Sequence, residues 1–180
     1  MTSNAHALLR RFTDRPLQGP RWVMREHRAA HRVWGAHGTT HLESYGRLDA
    51  WTEPESMQEV RIAQAGALAG KPVAVHTSSH TASTAEDFLS YADSLEHVTR
   101  IGTPTCGSTG QPFSFDLPGA GSARICTKRD TWQDGTDFVG VGVQPHIHVQ
   151  PSVDELEAGV DRTLAVAIEH LSEAIVADSV

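Results

Sequence analysis

The residues best placed to do chemistry lie between Pro72 and Phe88, in PVAVHTSSHTASTAEDF, where an apolar run passes through a turn of small residues into a helical pattern. Ser83 stands at the junction. A hydroxyl there meets the unpaired N–H groups and the positive dipole end of a helix, an environment that favours an oxyanion. Acyl transfer is the chemistry such a position allows. The stretch Ser83-Thr84-Ala85-Glu86 also reads as a capping box, in which the serine accepts from the N3 amide and Glu86 reaches back to the Ser83 N–H. Such boxes are common and nucleophiles rare, so the local pattern by itself favours the cap.

The eleven histidines are the other chemical resource of the chain. His80 is a candidate base, because a turn could bring its imidazole towards the Ser83 hydroxyl, although so short a separation suits a catalytic triad poorly. His27 and His31 could share a helix face, but no acidic ligand pattern accompanies them. His146 and His148 alternate onto one face of a strand, and two ligands do not make a metal site. Asp87 reads as a solvent-facing or capping residue. Cys106 and Cys126 lack a metal-type spacing, and nothing in the sequence supports a disulfide between them. Neither a metal nor another cofactor is expected.

The elements that must position these residues fit one domain, since 180 residues suffice for one real core but not comfortably for two. Hydrophobic residues at 39% and charged residues at 21% are ordinary for a globular protein, and no apolar run is long enough to span a bilayer. Membrane insertion is therefore not expected. A net charge of -7 and scattered arginines argue against a nucleic-acid partner. The opening MTSNAHALLRRF has no basic segment followed by a long apolar one, so no signal peptide is visible, and the compartment is left open.

Ser3 or Asn4 starts a short helix through Phe12, and a second helix is expected over Ser56–Leu68. Val73–Val75 reads as a strand and Thr84–Leu95 as the helix that follows it. Strands are expected at Val98–Ile101, Phe113–Leu117 and Ala123–Thr127, with Gly119-Ala120-Gly121 reversing the chain between the last two. Asp134-Gly135 suggests a hairpin joining Thr131–Trp132 to Phe138–Val141. A last helix from about Asp161 to Val176 presents Leu164, Ile168, Leu171 and Ile175 on one face. Strands alternating with helices indicate a layered α/β or α+β domain.

Three segments in order, PVAVHTSSHTASTAEDF, RIGTPTCGSTGQPFSFDLPGAG and DGTDFVGVGVQPHIHV, resemble the catalytic half of the tail-specific serine peptidase family, which includes C-terminal-processing proteases, the tricorn protease core and retinoid-binding relatives. The match runs from about Pro72 to the C-terminus, and FTDRPLQGPRW from Phe12 resembles the stretch after the family's early core strand and helix. The resemblance implies that Ser83, with Glu86 in the matching acidic position, is the nucleophile, and that the Thr84 N–H is an oxyanion donor. Cap and nucleophile are compatible roles.

The departures are informative. Where the family's Ser-Lys branch carries its lysine, this chain has Ser108, and Lys128, the only later lysine, sits in a strand where a solvent-facing side chain is expected. The chain thus resembles the Ser-His-Glu branch, whose glutamate aligns with Val139 and whose Pro-Asp aligns with Pro145-His146. The family's Asp-x-Arg-x-Asn-x-Gly-Gly motif, which precedes the FTDRP-like stretch and supplies the second oxyanion donor, has no counterpart in this sequence. Loss of one such donor costs ~10²–10³ in rate.

The resemblance implies a layered α/β domain of the spiral, crotonase-like kind, with residues 1–180 forming a single catalytic domain incomplete at its N-terminal edge. The implied function is a serine-type peptidase that takes a polypeptide or peptide substrate, cuts near C-termini through an acyl-enzyme on Ser83, and needs no cofactor. A catalytically silent peptide-binding or structural remnant of the fold is the alternative, favoured by Ser108 and the absent motif. An esterase-like hydrolase using the same serine is a third reading. An incomplete edge also implies an exposed apolar face and self-association.

Overall fold

The computed structural model describes residues 3–24, 28–35, 59–60 and 66–177. In chain order the elements are α1 (Ser3–Leu9), β1 (Leu17–Gln18), β2 (Arg21–Met24), α2 (Arg28–Gly35), β3 (Glu59–Val60), β4 (Val73–Thr77) and α3 (Thr84–Ala92). They continue as β5 (Val98–Gly102), β6 (Pro112–Leu117), β7 (Gly121–Cys126), β8 (Lys128–Thr131), β9 (Ile147–His148), α4 (Val153–Glu157) and α5 (Arg162–Ala177).

The centre is a parallel sheet in the order β4-β5-β9, with Val73 opposite Val98 and Ile101 opposite Ile147. Strand alternation sends successive side chains to opposite faces. Val73 and Val75 pack with the cluster of Leu9, Phe12, Tyr91, Leu95 and Val98, which joins α1 and α3 to one side of the sheet. Ala74 and Ile101 turn the other way, onto Val149 and Ala167, and so carry α5 on the opposite side. Helices on both faces of a short parallel sheet make this a mixed α/β structure.

Antiparallel pairs frame the sheet: β1 with β3, β2 with β8, and the hairpin β6-β7. Gly119 and Ala120, at φ 81° and 61°, turn that hairpin where the sequence places the reversal.

Four expectations change. Phe138–Val141 is not a strand: Gly142 N–H donates to Phe138 O at 2.8 Å, curling the segment into a turn, because the buried Phe138 anchors it against Leu89 and Val143. The helix expected over Ser56–Leu68 is interrupted by β3, and its other positions lie largely outside the described residues. Lys128 is turned inward, not to solvent. Its side chain is 13% exposed and its Nζ lies 2.8 Å from Oδ1 of the wholly buried Asp130. Finally, α5 packs on the sheet through Ala167 and Val166, leaving Leu164, Ile168 and Ile175 46%, 56% and 58% exposed.

Candidate active site

The chain leaves β4 through a tight turn in which Thr81 N–H donates to Ser78 O (2.8 Å) and Ser78 N–H donates to Thr81 Oγ1 (3.1 Å). Ser83 follows, exposed, as the residue before α3. Its backbone lies at φ 58°, ψ −125°, a left-handed conformation that costs a non-glycine residue on the order of 1–3 kcal/mol. A serine strained at a strand-to-helix turn, with its hydroxyl exposed, is the geometry of a nucleophile elbow.

That strain is held by contacts with the loop after β5. Ser83 N–H donates to Ser108 O (2.8 Å), and Cys106 N–H donates to Thr81 O (2.9 Å), so residues 103–110 run beside the turn. Glu86 fastens the two together. The side chain is fully buried, and its Oε1 accepts from Thr105 Oγ1 (2.5 Å) and Gly107 N–H (2.6 Å). Its Oε2 accepts from Ser108 N–H (2.8 Å) and Ser83 N–H (3.1 Å). Burying a carboxylate is expensive unless donors replace its water, and here four do. Thr105 extends the network, its hydroxyl accepting from Val143 N–H at 2.7 Å.

Glycine is required at 107. Its φ is 69°, and a Cβ there would come within 2.9 Å of the backbone nitrogens of Gly140, Val141 and Gly142.

The capping box therefore exists mainly through its glutamate arm. The Ser83 side chain is directed towards the Glu86 N–H but makes no regular cap hydrogen bond. Its hydroxyl is thus not consumed by the helix. The Thr84 N–H, first in α3, meets no acceptor among the described residues and points to the same helix end. The Gly107 and Ser108 amides, by contrast, are already taken by Glu86.

His80 sits exposed in the turn, with its N–H donating to Ser78 Oγ at 3.3 Å. No histidine ring is hydrogen-bonded to Ser83 among the described residues. His146 lies elsewhere: its Nδ1 accepts from Arg100 N–H at 3.1 Å, and burial, then the Arg100 charge, lower its pKa. His148 is exposed on β9, and His27 lies outside the described residues. Val139 is half-buried against the Leu89–Phe138–Val143 cluster. Cys106 and Cys126 are both free thiols.

Asp87 is buried, not solvent-facing. Burial raises its pKa, opposed by Lys128 and reinforced by Asp130. It belongs to an interior charge cluster with Lys128 and Asp130, whose Oδ2 accepts from Thr109 Oγ1 at 2.6 Å. Thr105, Gly107 and this cluster escape a reading of the sequence, since their partners are distant along the chain and no periodicity marks them. Among the described residues no group of His, Cys, Asp and Glu could hold a metal.

Residues 12–149 match the model of peptidase family S41. The structure superposes on a protein from Parabacteroides merdae with a TM-score of 0.67 at 22% identity, over 93% of this chain and 46% of the other. Mature CPAF complexed with lactacystin gives 0.68 at 18% identity, over 97% and 40%. A Bacteroides fragilis protein named for the same family gives 0.56 at 15%, over 94% and 41%. The chain thus spans less than half the length of these solved relatives. No curated protein matches it.

Proposed function

We propose a function from one premise: the chain belongs to peptidase family S41. On that premise the chain is a serine-type peptidase of the tail-specific kind, its residues 1–180 forming one catalytic domain of spiral, crotonase-like layering. The observation that carries this reading is the exposed, strained Ser83 beside the unengaged Thr84 N–H.

The reaction follows from the two groups. Ser83 Oγ attacks the carbonyl carbon of a peptide bond while a base takes its proton, and the carbonyl oxygen gathers negative charge towards the Thr84 N–H and the α3 dipole. Collapse expels the amine, which takes a proton, and leaves an ester on Ser83. Water then releases the acid. His80 is the base candidate nearest in sequence, and its exposed turn leaves its imidazole free to reorient. The catalytically silent, peptide-binding remnant is the second reading, favoured by the lack of any histidine or lysine hydrogen-bonded to Ser83 among the described residues.

Both readings take a polypeptide, and incubation with an unstructured polypeptide bearing a free C-terminus separates them. Fragments released by the chain and not by Ser83→Ala support the peptidase. Binding of the polypeptide without cleavage by either protein supports the remnant. Cleavage that survives Ser83→Ala would overturn the assignment of Ser83.

A further inference from the structure

Thr105 joins three stretches of chain that are far apart in sequence. Its Oγ1 donates to Glu86 Oε1 at 2.5 Å and accepts from Val143 N–H at 2.7 Å, spans of 19 and 38 residues. The direction of both bonds is fixed by the partners, because a carboxylate facing donors can only accept and an amide N–H can only donate. An alkyl side chain could do neither. The main chain of the same residue is clamped as well: Thr105 N–H donates to Val143 O at 3.1 Å, and a Cβ on Gly142 would come within 2.2 Å of Thr105 O. Thr105, Glu86 and Val143 are 6%, 0% and 0% exposed, so bulk water does not stand ready to replace a bond lost here.

Both bonds that hold the Ser83 amide depend on this junction. Ser83 N–H is shared between Ser108 O (2.8 Å) and Glu86 Oε2 (3.1 Å). Ser108 belongs to the loop that Thr105 ties to the 138–143 turn, and Glu86 is the carboxylate that Thr105 steadies. Of the four donors on Glu86, three are backbone amides, and the Thr105 hydroxyl is the one side-chain donor. The β-branched side chain of threonine has few χ1 wells, which keeps that hydroxyl between its partners. A residue at φ 58° persists there only while its surroundings leave it no alternative. Slackening at 105 supplies one: the Ser83 backbone relaxes and carries Oγ away from the Thr84 N–H.

We propose that Thr105 is a positioning residue for Ser83, its hydroxyl holding the loop and the Glu86 carboxylate in the one arrangement that aims Ser83 Oγ at a carbonyl carbon. It touches no substrate and acts through Glu86. The proposal rests on Ser83 being the nucleophile and adds what sets its reactivity.

The test reads the rate of fluorophosphonate labelling at Ser83 in the full chain, with imidazole present throughout and each variant shown to be folded by circular dichroism. Thr105→Val keeps the branching and removes the hydroxyl. Its labelling should be slower by on the order of tenfold, since small displacements of a reacting atom are costly. Thr105→Ser should recover most of the rate although it lacks the methyl group, so the recovery reports the hydroxyl and not the packing. Because Thr105 acts through Glu86, adding Thr105→Val to Glu86→Gln should slow labelling by less than about twofold further. Thr105→Cys, with a weak donor and acceptor in place of the hydroxyl, stands in for Thr105→Val if that variant does not fold, and should label more slowly than Thr105→Ser. Three results would overturn the proposal while leaving Ser83 as the nucleophile: folded Thr105→Val labelling at the unsubstituted rate, Thr105→Ser no faster than Thr105→Val or Thr105→Cys, or the full loss repeated in Glu86→Gln. No labelling at Ser83 in the unsubstituted chain would overturn both.

Discussion

Ser83 occupies a backbone conformation suited to glycine, and its hydroxyl does not complete a cap. Stability should therefore respond oddly to its replacement. Ser83→Gly relieves the left-handed strain and should raise the unfolding free energy by ~0.5–1 kcal/mol, while Ser83→Ala should change it little in urea denaturation. A loss of ~0.5–2 kcal/mol on Ser83→Ala would restore the capping role that the sequence pattern favoured. Glu86 is the opposite case. Glu86→Gln places an amide donor among four donors, leaving at least one unmatched, and should cost ~1–3 kcal/mol. An unchanged midpoint would mean that the network is not what holds the turn. The sequence showed the local half of this arrangement, since Ser83 and Glu86 stand at capping-box spacing. It was silent on Thr105 and Gly107, because their contacts with Glu86 depend on how two distant loops meet.

Among the elements, β4, α3, β5 and α5 were legible because each has a clear period and a break at its end. Phe138–Val141 was not. Its apolar residues look like a strand, but Phe138 is spent in the core and the glycines at 140 and 142, both at positive φ, allow the chain to curl. The edge pairing of β9 with β5 has a titratable neighbour in His146, which accepts from Arg100 N–H and whose N–H donates to Arg100 O at 2.9 Å. Its pKa is lowered on folding, so the unfolded chain binds the proton more readily. The sign follows directly: this contribution is present above about pH 6.5 and is lost as pH falls through that value towards the lower folded pKa. The midpoint of chemical denaturation should drop between pH 7 and pH 5.5 by more in the unsubstituted chain than in His146→Asn. Equal drops would place the acid sensitivity elsewhere, with His6, also lowered by burial, the next group to replace.

Taken whole, the molecule turns the large apolar side chains of Leu164 and Ile168 outward from α5. The heptad-like spacing of Leu164, Ile168, Leu171 and Ile175 was readable, but periodicity shows only that a helix has an apolar side, not which neighbour occupies it. In the structure α5 gives its smaller residues to the sheet and keeps the larger ones outside. The expected self-association follows from that face. Sedimentation at rising concentration should show species larger than a monomer, reduced by Leu164→Glu with Ile168→Glu, whereas a clean monomer throughout would contradict it. The mixed α/β character was likewise within reach of the sequence, while the inward turn of Lys128 depended on Asp130 and could not be read locally.

The account stands on Ser83 as the nucleophile. The measurement that tests it most directly is the site of covalent modification by a fluorophosphonate, read by peptide mass spectrometry with and without added imidazole as an external base. A serine without an aligned base is a weak nucleophile, so labelling should be slow, confined to Ser83, absent in Ser83→Ala, and accelerated by imidazole. Loss of the residual rate in His80→Ala, recovered by imidazole, would identify His80 as the base. Labelling spread equally over Ser78, Ser79 and Ser83, or none at Ser83 even with imidazole, would contradict the account.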